Sequence, residues 1–399
     1  MSLDLSKVAA QIGEMVARLR AGSRERQRRL DYALNVLHEK AAALDALKKK
    51  VAASRTTWLV AGLVEGLDRK YKAAPLPAEF TVLATDGSHI DVDRHRSARC
   101  YLINIGTVLL RYGASPGAVL DSFPRLYAGD EDLVIAPAES KGREQPIEGN
   151  LLGIKRSVDE CRRLAGMAAE VGPDCPALAL LDGSLVLWGL EAYPEFVTGE
   201  LLTGGFLSCL DDIRKLNGSR KIALASYISY PRSADVVNVL RVALCPQEPL
   251  DTDRHCRECT QRSCDEVSGV VDRELFAGVL EPGERSALFT SQSSVVRKYY
   301  GEHWINFFYL NVGDEIARVE IPQWVARDEY LLGLTHTLVF DQCQRGQGYP
   351  VALSEAHEQA VVTMVDRESF WQVVDSSLVE EHLPTPTSAK SQSKRTRWV

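Results

Sequence analysis

Two apolar segments of this chain each run directly into the tripeptide Asp-Gly-Ser. Residues 80–85 precede Asp86, and residues 177–181 precede Asp182. Apolar runs of this length predict buried β-strands, and the glycine allows a ligand or a neighbouring backbone to approach each aspartate closely. Asp-Gly between apolar runs is also a strong hairpin signal, so either site alone is more typical of a turn. Two identical strings 96 residues apart favour instead a shared site at the strand ends.

Paired aspartates of this kind predict a metal site. Carboxylates gathered from separate strands repel each other unless a divalent cation neutralises them, and hard oxygen ligands suit Mg²⁺ or Mn²⁺. A third acid is expected from a helix packed on the sheet. Glu160 lies in the helix predicted over residues 150–171, which leads into the strand bearing Asp182. Asp159 and Glu148 are alternatives that spacing does not exclude, and a solvated helix acid is an equally ordinary interpretation of Glu160.

The segment GYPVALSEAHEQAVV carries a second cluster of candidates. Pro350 ends any preceding helix and Ser354 suits the N-cap of the next one, which predicts His357 in the first helical turn. There the helix dipole disfavours protonation and leaves a neutral imidazole able to ligate a metal. Tyr349 offers a hydroxyl that can hold a phosphate oxygen or a metal-bound water. The alternative is a buried tyrosine and a half-exposed histidine without a chemical role.

The first part of the chain predicts a helical extension, residues 1–74. Apolar residues recur at helical spacing over residues 1–72, with a break expected at Gly22-Ser23. Residues 1–55 contain 12 Lys/Arg and 6 Asp/Glu, a net charge of +6, which leaves −13 on the rest of the chain. This favours an exposed helical hairpin with a solvated polar face. A basic arm near DNA or a dimer-forming helix is the alternative.

Residues 75–383 are predicted to form one α/β or α+β domain. Within it, residues 113–150 are expected to be a loop insertion at one edge of the core, and residues 384–399 lack periodicity and indicate a disordered basic tail. The predicted strands cover residues 80–85, 101–110, 177–181 and 222–227, with a hairpin over 299–320 that turns at residues 313–314. The predicted helices cover residues 150–171, 194–216, 328–343 and 354–365.

Composition excludes several classes of protein. With 399 residues, 45% hydrophobic and 25% charged, the chain is typical of a globular protein rather than a disordered or fibrous one. The net charge of −7 excludes a wholesale basic coat for nucleic acid but leaves room for a local basic channel. No run of 18 apolar residues predicts a membrane span, and the first residues lack a secretory signal pattern. We therefore expect a cytoplasmic protein with reduced cysteines.

Four of the nine cysteines lie close together in a Cys-rich loop, residues 245–268, beside His255. The CxxC step allows two thiolates to reach one ion, and four ligands complete a tetrahedral site for Zn²⁺ or an iron–sulfur cluster. The alternative is four reduced thiols in a surface loop. These candidates are Cys245, Cys256, Cys259 and Cys264. The others adjoin apolar residues and are expected to pack in the core: Cys100, Cys161, Cys175, Cys209 and Cys343.

The motifs around the candidate acids resemble those of the NurA nuclease family. They span residues 80–370 and occur in the family's order. A further string, Tyr227 through Pro231 ahead of a valine-rich helix, is also similar to the family. The likeness rests on Asp86-Gly87-Ser88, Leu181 through Leu185, Gly348-Tyr349-Pro350 and Ala356-His357.

This resemblance implies an RNase H-like mixed sheet flanked by helices and a manganese-dependent nuclease that processes DNA ends, as an exonuclease and an endonuclease. It implies metal-binding positions for Asp86, Asp182 and His357, an active-site tyrosine at Tyr349, and Glu160 as the best match to a metal-binding glutamate. It also implies a homodimer that encloses a DNA channel and a partner, the hexameric ATPase HerA, that drives DNA into it.

Two other functions remain open from the sequence. The same fold can serve as a non-catalytic adaptor that binds DNA or the ATPase, although the retained acids favour an enzyme. A different RNase H-like nuclease, related to resolvases or transposases, would nick particular DNA structures rather than digest from ends. Mn²⁺ binding at Asp86 and Asp182 separates the adaptor from the enzymes, and linear, circular and branched substrates separate the two enzymes.

Overall fold

The computed structural model describes residues 4–93, 96, 98–137, 143–173 and 175–383. The chain forms two compact units, each built from separate segments. Unit 1 comprises Met1–Ala73, Ile228–Ser294 and Asn306–Val319, and unit 2 comprises Ala74–Tyr227, Val295–Ile305 and Glu320–Val399. The chain is therefore divided differently from the expected domains of residues 1–74 and 75–383. The expected tail, residues 384–399, lies outside the described residues.

The described residues contain both helices and strands, which confirms the mixed α/β class. The helices are α1 (Leu5–Ala41), α2 (Leu44–Ala53), α3 (Asp130–Leu133), α4 (Asn150–Glu170), α5 (Glu195–Thr198), α6 (Leu207–Leu216), α7 (Asp235–Leu244), α8 (Thr252–His255), α9 (Asp272–Ala277), α10 (Gln323–Ala326), α11 (Glu329–Arg345), α12 (Val351–Ala360) and α13 (Met364–Glu380). The strands are β1 (Gly62–Leu63), β2 (Lys70–Lys72), β3 (Phe80–Ile90), β4 (Tyr101–Tyr112), β5 (Gly117–Tyr127), β6 (Val134–Ile135), β7 (Gln145–Pro146), β8 (Ala177–Asp182), β9 (Ile222–Ile228), β10 (Glu284–Ser286), β11 (Phe289–Thr290), β12 (Ile305–Asn311) and β13 (Ile316–Pro322).

Unit 2 is organised around a mixed sheet in which the strand order is β9-β8-β3-β4-β5. β3, β8 and β9 are parallel to one another, whereas β4 and β5 are antiparallel to their neighbours. The parallel strands are almost entirely apolar and buried, as expected for strands covered on both faces. The apolar runs in the sequence predicted these three strands and β4 correctly, because continuous burial leaves a continuous apolar pattern.

The expected loop insertion at residues 113–150 is wrong for its first half. β5, Gly117–Tyr127, pairs with β4 along its whole length, from Arg111 opposite Gly117 to Tyr101 opposite Tyr127. Most of β5 is exposed and it contains Pro124, which an edge strand tolerates. The sequence did not predict this strand because an exposed edge strand has neither a buried face nor the apolar alternation that burial imposes.

Two helices cover β3 in unit 2. Thr85 on β3 donates a hydrogen bond from Oγ1 to the carbonyl oxygen of Glu160 on α4 (3.1 Å), and Ser88 donates from Oγ to that of Ala360 on α12 (2.5 Å). Because successive strand residues face opposite sides of a sheet, α4 and α12 cover opposite faces. Helix α12 approaches β4 closely at Gly106, where a β-carbon would lie 2.2 Å from the carbonyl oxygen of Ala356.

Helix α1 in unit 1 continues through Gly22-Ser23, where we expected a break. An exposed helix-interior glycine costs only about 1 kcal/mol relative to alanine. Arg28 and Arg29 in the next turn both pair with Glu25 at 2.9 Å. The helical prediction fails later, because residues 54–72 contain two short strands rather than helix.

The second half of α1 belongs to the core of unit 1, which explains why residues 1–74 are not a separate extension. Leu37 is fully buried in a cluster that includes Val236 and Leu240 of α7 and Phe276 of α9. The first half of α1 is exposed instead, and its apolar side chains include Leu5, Ile12, Met15 and Leu19.

Candidate active site

Asp86 and Asp182 lie on neighbouring parallel strands of unit 2. β3 and β8 pair in register up to Thr85 opposite Leu181, so the two aspartates follow at the same level of the sheet. β3 continues beyond Asp86 as a partner of β4, which excludes the turn that Asp-Gly suggested at this point. β8 ends at Asp182, and Gly183 follows with φ of +82°. The two identical tripeptides therefore adopt different backbones while placing their aspartates side by side on neighbouring strands.

Asp86 is held by its own strand and by helix α12. Its Oδ1 accepts a hydrogen bond from the backbone N–H of Gly87 (2.8 Å), and its Oδ2 lies 2.7 Å from Nδ1 of His357. The imidazole of His357 is mostly exposed, at 63% of its side-chain surface, whereas the Asp86 side chain is 15% exposed. The strand thus fixes the carboxylate, and the histidine covers it from the solvent side.

His357 lies in the last turn of α12, not in the first turn as we predicted. The helix begins at Val351, and the N–H groups of Leu353 and Ser354 donate to the carbonyl oxygen of Pro350 (3.0 Å each). Ser354 is therefore inside the helix and is not its N-cap. Proline suits a helix start because it needs no N–H partner there. The argument that a helix N-terminus keeps His357 neutral does not apply.

Glu160 reaches the same strand from α4. It is 7% exposed, and a β-carbon at residue 87 would lie 2.6 Å from its Oε1, so the glycine of Asp86-Gly87 provides the space for this carboxylate. Nε of Arg156, one helical turn earlier, lies 3.0 Å from Oε1. In the described structure that Oε1 has no hydrogen-bond partner of good geometry. A buried carboxylate oxygen is therefore left under-coordinated beside the aspartates.

The electrostatics of these carboxyl groups reflect their proximity. The pKa of Glu160 is raised to about 7, chiefly by burial; the Arg156 guanidinium opposes this rise, and the charges of Asp86 and Asp182 contribute to it. The pKa of Asp182 is also raised, because the surrounding protein reduces its hydration and Asp86 repels its charge. A hydrogen bond from Tyr349 acts in the opposite direction. Three carboxyl groups this close resist full ionisation unless positive charge is added.

Tyr349 contacts Asp182 and is positioned by Tyr227. The two tyrosine rings pack edge to face with centroids 5.5 Å apart, and the Tyr227 hydroxyl donates to the carbonyl oxygen of Gly348 (3.4 Å). Gly348 has φ of +105°, a conformation that side chains disfavour. Burial and the Asp182 carboxylate raise the pKa of Tyr349, so its hydroxyl keeps its proton and acts as a donor.

The two alternatives to Glu160 are placed elsewhere. Asp159 faces away on α4 and is bound by the Tyr127 hydroxyl (3.0 Å), Lys155 (3.1 Å) and Arg162 (2.6 Å). Glu148 is exposed, in the segment before α4. Of the three candidate acids, Glu160 is the one whose charge interacts with Asp86 and Asp182.

Comparison with known proteins agrees with this arrangement. A model of the NurA domain matches residues 80–362, well over half of the chain. The chain is a member of the NurA family. The matched range contains all five residues of the candidate site, and membership indicates a nuclease-related function. A search of curated proteins returns no significant match.

The donor set of this NurA protein fits a divalent cation by its chemistry. Three carboxylates and an imidazole offer the oxygen and nitrogen ligands that Mn²⁺ and Mg²⁺ accept, and the raised pKa of Glu160 indicates a deficit of positive charge. In the described arrangement, Arg156 pairs with Glu160 and His357 pairs with Asp86. Accordingly, no three His, Cys, Asp or Glu residues within the described ranges are already arranged to hold a metal ion.

Sequence analysis missed a basic group beside the NurA carboxylates. Nη1 of Arg156 lies 3.5 Å from Nδ1 of His89, and Arg367 on α13 donates to the His89 carbonyl oxygen (2.8 Å). The i,i+4 spacing of Arg156 and Glu160 was the available signal. Arg367 had none, because its contact depends on the position of α13.

A buried glutamate that supports the Asp182 loop was also missed. Oε2 of Glu320 accepts hydrogen bonds from Oγ of Ser184 (2.8 Å) and from the N–H of Leu185 (2.9 Å). Glu320 is 1% exposed. The serine of the second Asp-Gly-Ser string therefore ties the loop after β8 to β13.

Membrane insertion was not expected for this chain. Among the residues that the structure describes, none of the helices combines the length and the apolar character needed for a bilayer span.

Proposed function

We propose that this NurA protein is a Mn²⁺- or Mg²⁺-dependent deoxyribonuclease with an RNase H-like nuclease domain, which degrades DNA from its ends and also cuts it internally. The observation that carries the proposal is the meeting of three carboxyl groups from β3, α4 and β8 in unit 2. The charges of Asp86 and Asp182 both raise the pKa of Glu160, and the charge of Asp86 raises the pKa of Asp182. Negative ligands such as these hold the divalent cation that activates water and neutralises charge on a phosphodiester in metal-assisted hydrolysis.

Each residue of the proposed site has a distinct role. Asp86, Glu160, Asp182 and His357 would hold the cation, which when bound supplies Lewis-acid activation of water and neutralises charge on the phosphate. The strand register fixes the two aspartates, so little reorganisation is needed at that edge. Arg156 lies 3.0 Å from Glu160 and stabilises its anion when no cation is present.

We propose that the Tyr349 hydroxyl, which donates to Asp182 in the described structure, turns its one proton toward a phosphate oxygen when a cation occupies Asp182. Its raised pKa keeps the proton in place, and its ring is held against Tyr227, so the donor is positioned before substrate arrives. A preorganised donor aimed at developing negative charge contributes about 3 kcal/mol to transition-state stabilisation in comparable sites.

The proposal is tested with end-labelled linear DNA and closed circular DNA under a Mn²⁺ titration. We expect loss of linear DNA from the ends, slower cutting of circles, and no reaction without a divalent cation. Glu160→Gln should abolish both reactions, whereas the matched variant Glu170→Gln, an exposed acid on the same helix, should not alter them. Equal cleavage by both variants would contradict the proposed site.

We further propose that the protein works in the cytoplasm as a homodimer with a HerA-type hexameric ATPase. The apolar side chains exposed on the first half of α1, Leu5, Ile12, Met15 and Leu19, support association because they recur at heptad spacing and no element among the described residues of unit 1 covers them. Sedimentation of the full chain should give twice the monomer mass. Addition of the ATPase with ATP should accelerate digestion of long DNA, and an ATPase variant unable to hydrolyse ATP should not.

A further inference from the structure

The four clustered cysteines of unit 1 surround one cavity of about 290 Å³. Each comes from a different local element: Cys245 directly follows α7, Cys256 directly follows α8, Cys259 lies between elements, and Cys264 lies in a single 3₁₀ turn, Ser263–Val267. All four line the cavity together with His255. The other five cysteines do not line this cavity; two of them, Cys161 and Cys209, form a separate pair in unit 2.

The thiols are close enough to affect one another. Cys245 and Cys259 lie within electrostatic range of Cys256, and Cys245 and Cys256 lie within that range of Cys264. A cation among them would offset the repulsion between neighbouring thiolates. All four are free thiols in the structure rather than members of a disulfide.

Charged side chains of both signs line the cavity, with Arg241 and Arg262 beside Asp253 and Asp265. Arg241 lines it, stacks over Trp58 at 4.5 Å and leaves its buried Nε without a hydrogen-bond partner in the described structure. Nζ of Lys50 donates to the carbonyl oxygen of Cys245 (2.7 Å). Arg241 also pairs with Asp265 (3.8 Å) and Lys50 with Glu248 (3.2 Å), so a metal centre here would lie among paired charges.

His255 is engaged by a hydrogen bond in the described structure and is left out of the proposed ligand set. Its Nδ1 accepts from the backbone N–H of Asp251 at 3.3 Å, so in the neutral ring Nε2 carries the proton. Neither nitrogen then offers a free lone pair. The ligand set is therefore restricted to sulfur, which selects soft metals over the hard cation proposed for the nuclease site.

We propose that Cys245, Cys256, Cys259 and Cys264 bind a structural metal centre through four thiolates, of the class that takes one Zn²⁺ or one iron–sulfur cluster. No three of these sulfurs already converge on an ion position in the described structure, so binding includes closure of residues 256–264 around the metal. The 3₁₀ turn carrying Cys264 also carries Glu266, which pairs with Arg28 of α1 at 3.2 Å. The metal centre would thus fasten the second half of α1 to α7.

The test is metal analysis of the full-length protein, purified in parallel with and without oxygen. One zinc per chain in both preparations supports a zinc site, and iron with acid-labile sulfide in the anaerobic preparation supports a cluster. Less than a tenth of an equivalent of either metal, with four titratable thiols or a disulfide within residues 245–264, overturns the proposal.

A matched pair of variants locates the metal. Cys256→Ser with Cys259→Ser should lose the metal, whereas Cys175→Ser, a half-buried cysteine of unit 2, should retain it. If the double variant does not fold, chelation of the wild-type protein gives the same information. Removal of the metal should expose residues 246–264 to proteolysis. Mn²⁺-dependent cleavage of DNA is measured separately and reports on the nuclease site. Unchanged proteolysis after complete metal removal contradicts the structural role.

Discussion

Nδ1 of His357 lies 2.7 Å from Oδ2 of Asp86, across 271 residues of sequence. The contact joins the last turn of α12 to the middle of β3, and it leaves the imidazole exposed. A mostly exposed histidine bound to a half-buried aspartate can exchange its partner for a ligand without disturbing the core. This pair therefore connects the fold of unit 2 to the proposed chemistry.

Removal of the imidazole should reduce cleavage without unfolding the protein. We expect His357→Asn to lower the Mn²⁺-dependent rate about 100-fold, since loss of a metal-site residue or its support typically costs about 10–100-fold or more. The melting temperature should change little because the side chain is mostly exposed. The matched variant is His38→Asn, an exposed histidine on α1. Similar losses of rate in both variants would contradict a special role for His357.

Stability without metal should fall as pH rises, because of Glu160. Its pKa is about 7 in the folded protein and 4.5 in the unfolded chain, so between pH 4.5 and 7 the folded state binds more protons than the unfolded state. The free energy of unfolding therefore decreases through this window, by about 3 kcal/mol for a shift of this size. Denaturant titrations in a chelating buffer at several pH values measure it.

Glu160→Gln serves as the comparison for this pH effect. The amide cannot ionise, so the variant should gain stability over the wild type above pH 7 and match it near pH 4.5. The pKa values of Asp182 and Asp272 are also raised. Their effect on the pH dependence of the free energy of unfolding is the same in both proteins, so it cancels when the variant is compared with the wild type. A difference in stability that does not change with pH would show that Glu160 ionises normally.

Gly106 should be intolerant of any side chain. A β-carbon there would lie 2.2 Å from the carbonyl oxygen of Ala356 and 2.6 Å from the backbone nitrogen of Ala360. Gly106→Ala must push α12 away from β4, which displaces His357 from Asp86. We expect a loss of about 1–3 kcal/mol in the free energy of unfolding and a loss of cleavage.

The control for Gly106 is Gly153→Ala in helix α4. A β-carbon at residue 153 would have no heavy atom of the described structure within 4 Å, apart from its own helix backbone and chain neighbours. Alanine should therefore raise stability by up to about 1 kcal/mol. Equal behaviour of the two alanine variants in urea titrations would mean that α12 does not pack on β4 as described.

Tyr349→Phe should move the pH dependence of cleavage. Loss of the hydroxyl removes the hydrogen bond that lowers the pKa of Asp182, so that pKa rises further. Protons then compete with the cation up to a higher pH, and the acidic limb of the rate profile should shift to higher pH. The maximal rate should fall about 100-fold if the hydroxyl also contacts the phosphate. An unshifted acidic limb at limiting Mn²⁺ would argue against the contact with Asp182.

The sequence predicted the buried elements of unit 2 and failed where burial was absent. The apolar runs of β3, β8 and β9 were sufficient, because both faces of these strands are covered. β5 was missed because an exposed edge strand has no apolar face. The prediction took Ser354 as the N-cap of α12, whereas the helix begins after Pro350. The same error placed His357 in the first turn instead of the last.

The candidate site was predictable in its residue types but not in its connections. Asp86 and Asp182 were marked by their repeated context, and the structure brings Glu160 rather than Asp159 or Glu148 to them. The support from Arg156 and Glu320 depends on tertiary contacts across helices and strands, which local spacing does not encode. The assignment of metal ligands remains the proposal on which the function depends.

Crystals grown with Mn²⁺ and measured at the manganese absorption edge provide the decisive test of that proposal. We predict an anomalous peak in contact with carboxylate oxygens of Asp86 and Asp182, with Glu160 released from Arg156 toward it. The peak should vanish in crystals of Asp86→Asn. A fully occupied manganese peak elsewhere, with Arg156 still on Glu160 and His357 still on Asp86, would contradict the assignment.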